Sequence, residues 1–234
     1  MTTLEGAVVL VTGGGRGIGK ALVEELLSRG AKKVYATARD PLTIADGDRV
    51  VPLALEITDV DSVAAVAEAA QDVTVLINNA GGAVRASFLG SPVEDVRREF
   101  ETNFYGPLHL TRAFVPIIER NGGGHILTMH SVLSWIALNG SYSASKAALW
   151  SQTNSIRLEL LDRGIGVTGL HVGYVDTDMA ARVEAPKSSP QDVARQALDG
   201  IESGAFEVIA DERSRQVKGG LAADLSALYP QLTA

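Results

Sequence analysis

The chain has 234 residues, 46% of them hydrophobic and 21% charged, with a net charge of −7 and no cysteine. That length and balance fit one compact domain rather than a disordered chain. The negative charge speaks against a nucleic-acid or anionic-membrane partner, and the missing cysteine rules out disulfides and thiolate metal sites. The four histidines, at 109, 125, 130 and 171, show no metal-ligand spacing, so surface or packing roles are expected and no metal. No apolar run approaches the about 18 residues of a membrane span, and the M-T-T-L-E-G start lacks the marks of a signal peptide; a cytoplasmic location is the expectation.

Ala7 to Val11 is an unbroken apolar run ended by glycine and too short for a helix, as expected of a strand buried on both faces. Thr12 to Gly19 reads T-G-G-G-R-G-I-G, and an amphipathic helix with Ile18, Leu22, Leu26 and Leu27 on one side runs on to Arg29, stopped by Gly30. This combination makes a place for a pyrophosphate. Bare backbone at Gly13, Gly17 and Gly19 permits close approach, and free N–H groups at the helix start favour an anion; Gly15, Arg16 and Ile18 belong to the same loop. The second strand, Lys33 to Ala36, is followed by T-A-R-D-P. Where NAD-binding folds place an acid for the ribose hydroxyls, this chain offers Ala38 and Arg39. Arg39 with Arg16 suits a 2′-phosphate, so NADP (NADPH) is expected ahead of NAD, although Asp40 leaves open a solvated ion pair.

Val50 to Leu55 reads as a third strand, near an edge because of Pro52, with Glu56 and Ile57 closing it. Thr58 or Asp59 caps an alanine-rich helix through Ala70. Val73 to Ile77 is the fourth strand, ending in Asn78-Asn79-Ala80-Gly81, a polar turn at the edge where open parallel sheets bind ligands, though Asn pairs also make ordinary turns. Ser91, Pro92 and Glu94 mark a helix start, and helical pattern runs to Arg120 with a bend or break expected near Pro107 and Pro116. Asn103, in its middle, either bends the helix, bonds inward or faces water. His125 to His130 is the fifth strand and delivers Ser131 to the ligand edge. A helix spans Tyr142 to Arg163, and Val167 to Val172 is the sixth strand. Residues 173–189 lack a period and are expected to form a mobile substrate loop. Ser189-Pro190 opens a helix to about Ser203, Glu207 to Ala210 is the seventh strand, and the tail after Asp211 carries a weak helical stripe of Leu221, Leu225 and Leu228. Strands alternating with helices imply a parallel sheet covered on both faces, in one domain spanning 1–234.

Chemistry is expected between Ser131 and Lys146. Tyr142 and Lys146 are four apart, which on a helix stacks them on one face roughly 6 Å from each other. An ammonium beside the phenol favours the phenolate and is expected to lower its pKa toward neutrality, giving a general acid/base. The plain alternative is a helix-start tyrosine with a solvated lysine.

The set T-G-x-x-x-G-x-G, N-N-A-G, a mid-chain Asn, a Ser and Y-x-x-x-K, in this order over nearly the whole chain, resembles the short-chain dehydrogenase/reductase family. The resemblance implies a Rossmann-type α/β fold, a doubly wound parallel sheet of about seven strands. It implies Tyr142 as general acid/base, Ser131 polarising the substrate carbonyl, Lys146 binding the nicotinamide ribose and lowering the tyrosine pKa, and Asn103 holding a water of the proton relay. It also places Asn79 on the adenosine side, Glu56 near the adenine and Thr177 at the cofactor carboxamide, with Ile57, Ala80, Gly81 and Val175 beside them. A homo-oligomer, dimer or tetramer, is implied as well. Two departures stand out. Ser131 precedes Tyr142 by 11 positions, a shorter interval than is usual in the family, with Ser134 as a competing candidate. Val172-Gly173 replaces the usual Pro-Gly, which is expected to loosen the turn under the nicotinamide.

Val132, Leu133, Trp135, Tyr174 and Met179 are the substrate-pocket candidates; their apolar or aromatic character points to a hydrophobic ketone, aldehyde or secondary alcohol, unless they serve packing or subunit contacts. The expected activity is hydride transfer between NADP(H) and such a carbonyl or alcohol carbon. A non-catalytic NAD(P)-sensing regulator is the alternative, and would not need Ser131, Tyr142 and Lys146 together.

Overall fold

The computed structural model describes residues 2–233. Seven parallel strands form one sheet: β1 (Val8–Thr12), β2 (Lys33–Ala38), β3 (Val50–Ala54), β4 (Val75–Asn78), β5 (Gly124–Met129), β6 (Ile165–His171) and β7 (Glu207–Ile209), in the order β3-β2-β1-β4-β5-β6-β7. Side chains alternate along each strand, so one apolar run feeds two cores. In β1, Val9 and Val11 join Leu22 and Leu26 of α1 (Gly17–Ser28) and Leu198 and Ile201 of α6 (Pro190–Ser203) on one face. Val8 and Leu10 meet Val63 and Val66 of α2 (Val60–Ala69) and Phe114 and Ile118 of α4 (Gly106–Arg120) on the other, with Ile156 of α5 (Gly140–Glu159) packed against that side. This is the doubly wound, Rossmann-like α/β architecture.

The strand order reverses between β1 and β4, and the crevice at such a switch point opens beyond the strands' carboxyl ends. Pro52 lies in edge strand β3, where its missing N–H costs no ladder bond on the open side. Asp59 caps α2 by accepting from Asp61 N, and Ser189 caps α6 by accepting from Asp192 N.

Three elements differ from the sequence expectation. The helix expected from Ser91 starts at Val93 (α3, Val93–Phe100) with no side-chain cap, because Ser91 Oγ instead accepts from Ser87 N in the preceding turn. It runs into a π-helical turn at Glu101–Tyr105 before α4. Pro107 explains the change: it has no N–H to give the carbonyl of residue 103, so the regular ladder is broken there, whereas Pro116 is absorbed within α4. Helix α5 begins two residues before Tyr142 and ends at Glu159 rather than Arg163. The tail holds a helix not expected from its sequence, α7 (Glu212–Gly219), capped by Asp211, followed by the short α8 (Leu225–Leu228). Residues 173–189 carry a short 3-10 turn at Asp178–Ala180, and a parallel bridge between Val175 and Ser188 joins their ends.

Three of the four histidines are buried. Burial pushes His125 down to about 4, His171 down to about 3 and His130 well below the ordinary imidazole value. These rings stay neutral in the folded chain and take a proton on unfolding, so stability is complete above about pH 6.5 and is lost as pH falls below it. At pH 5 the loss is expected to be about 2 kcal/mol for each ring. Urea unfolding at pH 7 and pH 5 measures it. Since neither ring nitrogen of His130 has a partner, His130→Leu should reduce the difference, and an unchanged difference would exclude that ring as a source.

Candidate active site

A cleft of about 1650 Å³ runs along the carboxyl ends of the strands. Its wall takes in the whole glycine loop from the sequence reading, Gly13, Gly15, Arg16, Gly17, Ile18 and Gly19, together with Arg39, Glu56, Ile57, Asn79, Ala80, Gly81, Val175 and Thr177. Ser131, Tyr142 and Lys146 lie on the same wall, as do Leu133, Tyr174 and Met179. A second hollow, of about 670 Å³, sits at the opposite edge of the sheet and is lined largely by glycines and the N-terminal segment.

The glycine corner is shaped for close approach. A Cβ on Gly19 would stand 1.9 Å from the carbonyl oxygen of Gly13, so any side chain there would force the loop off the helix start. The N-terminus of α1 has no side-chain cap and no acid in its first turn, which leaves its N–H groups and its dipole available to an anion. Asn79 Nδ2 donates to the carbonyl oxygen of Thr12 at 2.8 Å, and Asn79 N donates to Thr12 Oγ1 at 2.9 Å, so this side chain fastens β4 to the glycine turn. Arg16 pairs with Asp178 across the mouth at 3.1 Å, both side chains largely in water. Arg39 is exposed and has no ion pair among the described residues. An uncapped helix start, a side-chain-free corner and a free guanidinium past β2 fit a nicotinamide dinucleotide.

At the other end of the cleft, Ser131 begins a 3-10 turn, Val132–Ser134, and its Oγ accepts from Leu133 N at 3.1 Å. Its own O–H is therefore left to donate, with the Tyr142 phenol within its reach on the cleft wall. Ser134 is buried off the cleft wall, and its Oγ accepts from Ser131 N to complete a capping box; it shapes the turn and does not face the ligand space. Lys146 Nζ donates to the carbonyl oxygen of Met129 at 2.9 Å and stands 6.0 Å from the centre of the Tyr142 ring.

Asn103 is 1% exposed and is not part of the cleft wall. Its Nδ2 shares its two N–H bonds among Gly82 O, Glu99 Oε1 and Ser145 Oγ, and its Oδ1 accepts from Gly82 N at 3.0 Å. The side chain is fully engaged. Pro107, four residues on, cannot give the Asn103 carbonyl an α-helical donor. Glu99, one turn earlier, is equally buried and was not foreseen from the sequence. Its position four residues before Asn103, on the same helix face, was the available signal.

The electrostatics overturn one expectation. Tyr142 is not drawn toward neutrality by Lys146. Burial pushes its phenol up to about 12, against the Ser131 hydroxyl, which works to lower it; Glu99 adds to the rise and Arg85 opposes it. Burial likewise brings Lys146 down to about 8, with Glu99 resisting. Both groups are pushed toward their neutral forms because desolvation is the largest influence on each.

Two pocket candidates lie elsewhere. Trp135 stacks on His171, ring centres 4.0 Å apart, and Val132 is buried; neither reaches the cleft wall. The 3-10 turn after Ser131 rotates successive side chains by about a third of a turn, which presents Leu133 and turns its neighbours inward.

The short chain dehydrogenase family model matches residues 7–188. A ketoacyl reductase of Nostoc sp. is 31% identical, over 91% of this chain and 81% of its own. A 3-oxoacyl-acyl-carrier-protein reductase of Vibrio cholerae is 34% identical, over 75% of this chain and 76% of its own. Among solved structures, a short chain dehydrogenase from Burkholderia cenocepacia J2315 in complex with NADP is 40% identical, with a TM-score of 0.93 and 99% of each chain covered.

The two serines are separable by experiment. Ser134→Ala should cost about 1 kcal/mol of stability through the lost cap, read by urea unfolding. It should leave ligand contacts in place, whereas Ser131→Ala should remove a donor from the cleft and lower turnover roughly a hundredfold. A larger turnover loss in Ser134→Ala than in Ser131→Ala would reverse the assignment.

Proposed function

The chain belongs to the short-chain dehydrogenase/reductase family, and from that premise we propose that it is an NADP-dependent carbonyl reductase acting on small ketones or aldehydes. The observation that carries this reading is the meeting of the Ser131 hydroxyl, the Tyr142 phenol and the Lys146 ammonium on one wall, at the far end of a cleft that begins at the glycine corner. The relatives named as ketoacyl and 3-oxoacyl reductases, and the NADP complex of a 40% identical protein, support a carbonyl substrate and NADP.

The nicotinamide, when bound, supplies or takes up the hydride. Tyr142 gives its proton to the substrate oxygen as negative charge builds there. Ser131 donates a second hydrogen bond to that oxygen, and a preorganised donor of this kind is commonly worth about 3 kcal/mol. Lys146 keeps N–H donors beyond the one given to Met129 and would hold the ribose hydroxyls. A water on the backbone carbonyl of Asn103 would return a proton toward Lys146. Arg39, with Arg16 once released from Asp178, would take the 2′-phosphate, a bidentate partner for guanidinium.

A phenol held protonated is ready to give its proton when the carbonyl is reduced and must lose it before it can serve the reverse reaction. Its pKa of about 12 implies that alcohol oxidation, which needs the phenolate, climbs with pH through the alkaline range, while carbonyl reduction does not rise with it. Initial rates in both directions between about pH 6 and pH 10 test this sign; oxidation that is flat across that range would contradict it. Tyr142→Phe should bind NADPH normally, by fluorescence titration, and lose turnover by roughly 10²–10⁴. Arg39→Ala should weaken NADPH roughly tenfold or more and NADH little, so equal losses would remove the case for NADP.

A further inference from the structure

The substrate end of the cleft holds a charge for which the proton transfer has no need. Arg85 lies on the cleft wall and, at φ 59°, is the one residue other than glycine with left-handed backbone among the described residues. Such a conformation is held only where the surroundings impose it. Here they do. Arg85 N donates to Glu99 Oε2 at 2.6 Å and Val84 N to Glu99 Oε1 at 3.0 Å. The next residue, Ala86, gives its N–H to Ser141 Oγ at 2.9 Å and receives Ser141 N at its carbonyl at 3.0 Å. Gly140 makes room for that carbonyl, since a Cβ there would meet Ala86 O at 2.2 Å. The backbone of Arg85 is thus tied to the residues immediately before Tyr142.

Nothing in the chain uses this guanidinium. Arg98 pairs with Asp95 and Arg16 with Asp178, but Arg85 has no ion pair and no side-chain hydrogen bond among the described residues. The same wall carries Arg97 and the acids Glu94 and Glu101 on or beside α3, so the rim as a whole is mixed in sign and its net charge selects nothing. Arg85 is distinguished by a backbone fixed to the first turn of the helix that carries the reacting tyrosine. Leu133 and Met179 add apolar surface to the cleft.

We propose that Arg85 anchors an anionic group of the substrate, so that the preferred substrate is a ketone bearing a carboxylate or a phosphate monoester, with its carbon chain against Leu133 and Met179. The inference rests on the carbonyl-reductase reading and names the substrate class of that site. A guanidinium offers the planar fork that either anion accepts bidentately.

The test is kcat/KM, with NADPH, for matched pairs: straight-chain oxo acids of increasing length against their methyl esters, and a hydroxyketone phosphate against the free hydroxyketone. The wild-type chain should prefer the anion in at least one series, by roughly tenfold or more, and the preference should shrink with added salt. Which series shows it separates carboxylate from phosphate. Arg85→Gly keeps the left-handed backbone while removing the charge, and should cut the anion-to-neutral ratio roughly tenfold; Arg85→Lys should restore part of it. Equal rates within every pair, or a ratio that survives Arg85→Gly, overturns the inference while leaving the reductase reading intact. Failure of every neutral and anionic carbonyl to oxidise NADPH or NADH ends the reductase reading and the inference with it.

Discussion

One buried carboxylate holds the substrate side of the cleft together. Glu99 is 1% exposed, yet its two oxygens accept four hydrogen bonds, from Val84 N, Arg85 N, Asn103 Nδ2 and Ser141 Oγ. Taking a carboxylate out of water costs several kcal/mol unless every lone pair finds a donor, and these donors come from three separate stretches: the loop after β4, the π turn before α4 and the first turn of α5. Asn103 extends the arrangement by bonding Gly82 through both its amide nitrogen and its oxygen. The loop from 82 to 86 is therefore clamped along its length, with Tyr142 beside its far end. A neutral side chain of the same shape could not accept all four donors, so the charge itself specifies the local geometry.

The same burial sets the acid/base character of the site. On an isolated helix, the four-residue spacing of Tyr142 and Lys146 would let the ammonium stabilise the phenolate. Inside the fold, desolvation is the largest influence on both groups, and Lys146 directs one donor to Met129. A low dielectric also magnifies any charge that enters the cleft, so the resting protonation of Tyr142 suits proton donation to an oxygen that becomes negative only during the reaction.

Much of this was legible in the order of residues. Continuous apolar runs ended by glycine or asparagine marked the strands because both sheet faces are covered, and Asp59 and Ser189 announced their helices because a capping oxygen has a local partner. The glycine corner was legible for the same reason: its requirement is local. What escaped depended on contacts far apart in sequence. Ser91 is as good a cap as Ser189 by composition, but Ser87 claims its hydroxyl. Trp135 looks like a pocket residue until β6 supplies His171 for it to stack on. The rise in the Tyr142 pKa follows from packing that no spacing reveals. Arg85 carried no sequence signal, since its left-handed backbone is imposed by Glu99 and Ser141 from 14 and more residues away.

The two departures from the family pattern become intelligible through the C-terminal region. The short interval between Ser131 and Tyr142 leaves a tight loop, and that loop is braced from behind: Tyr229 OH accepts from Ala137 N at 2.9 Å, and Trp135 stacks on His171 with the Lys218 ammonium 5.3 Å from its ring centre. Glu207 joins the brace by accepting from Trp150 Nε1 and pairing with Lys218. The missing proline at Val172 was expected to loosen the next turn, but Gly173 N donates to Asp211 Oδ2 at 2.6 Å. A proline restrains a turn through its ring; here a carboxylate restrains it through a hydrogen bond. Because Asp211 also caps α7, the turn, the helix and the last strand share one anchor, and the tail with the weakest pattern in the sequence becomes the support for the reacting loop.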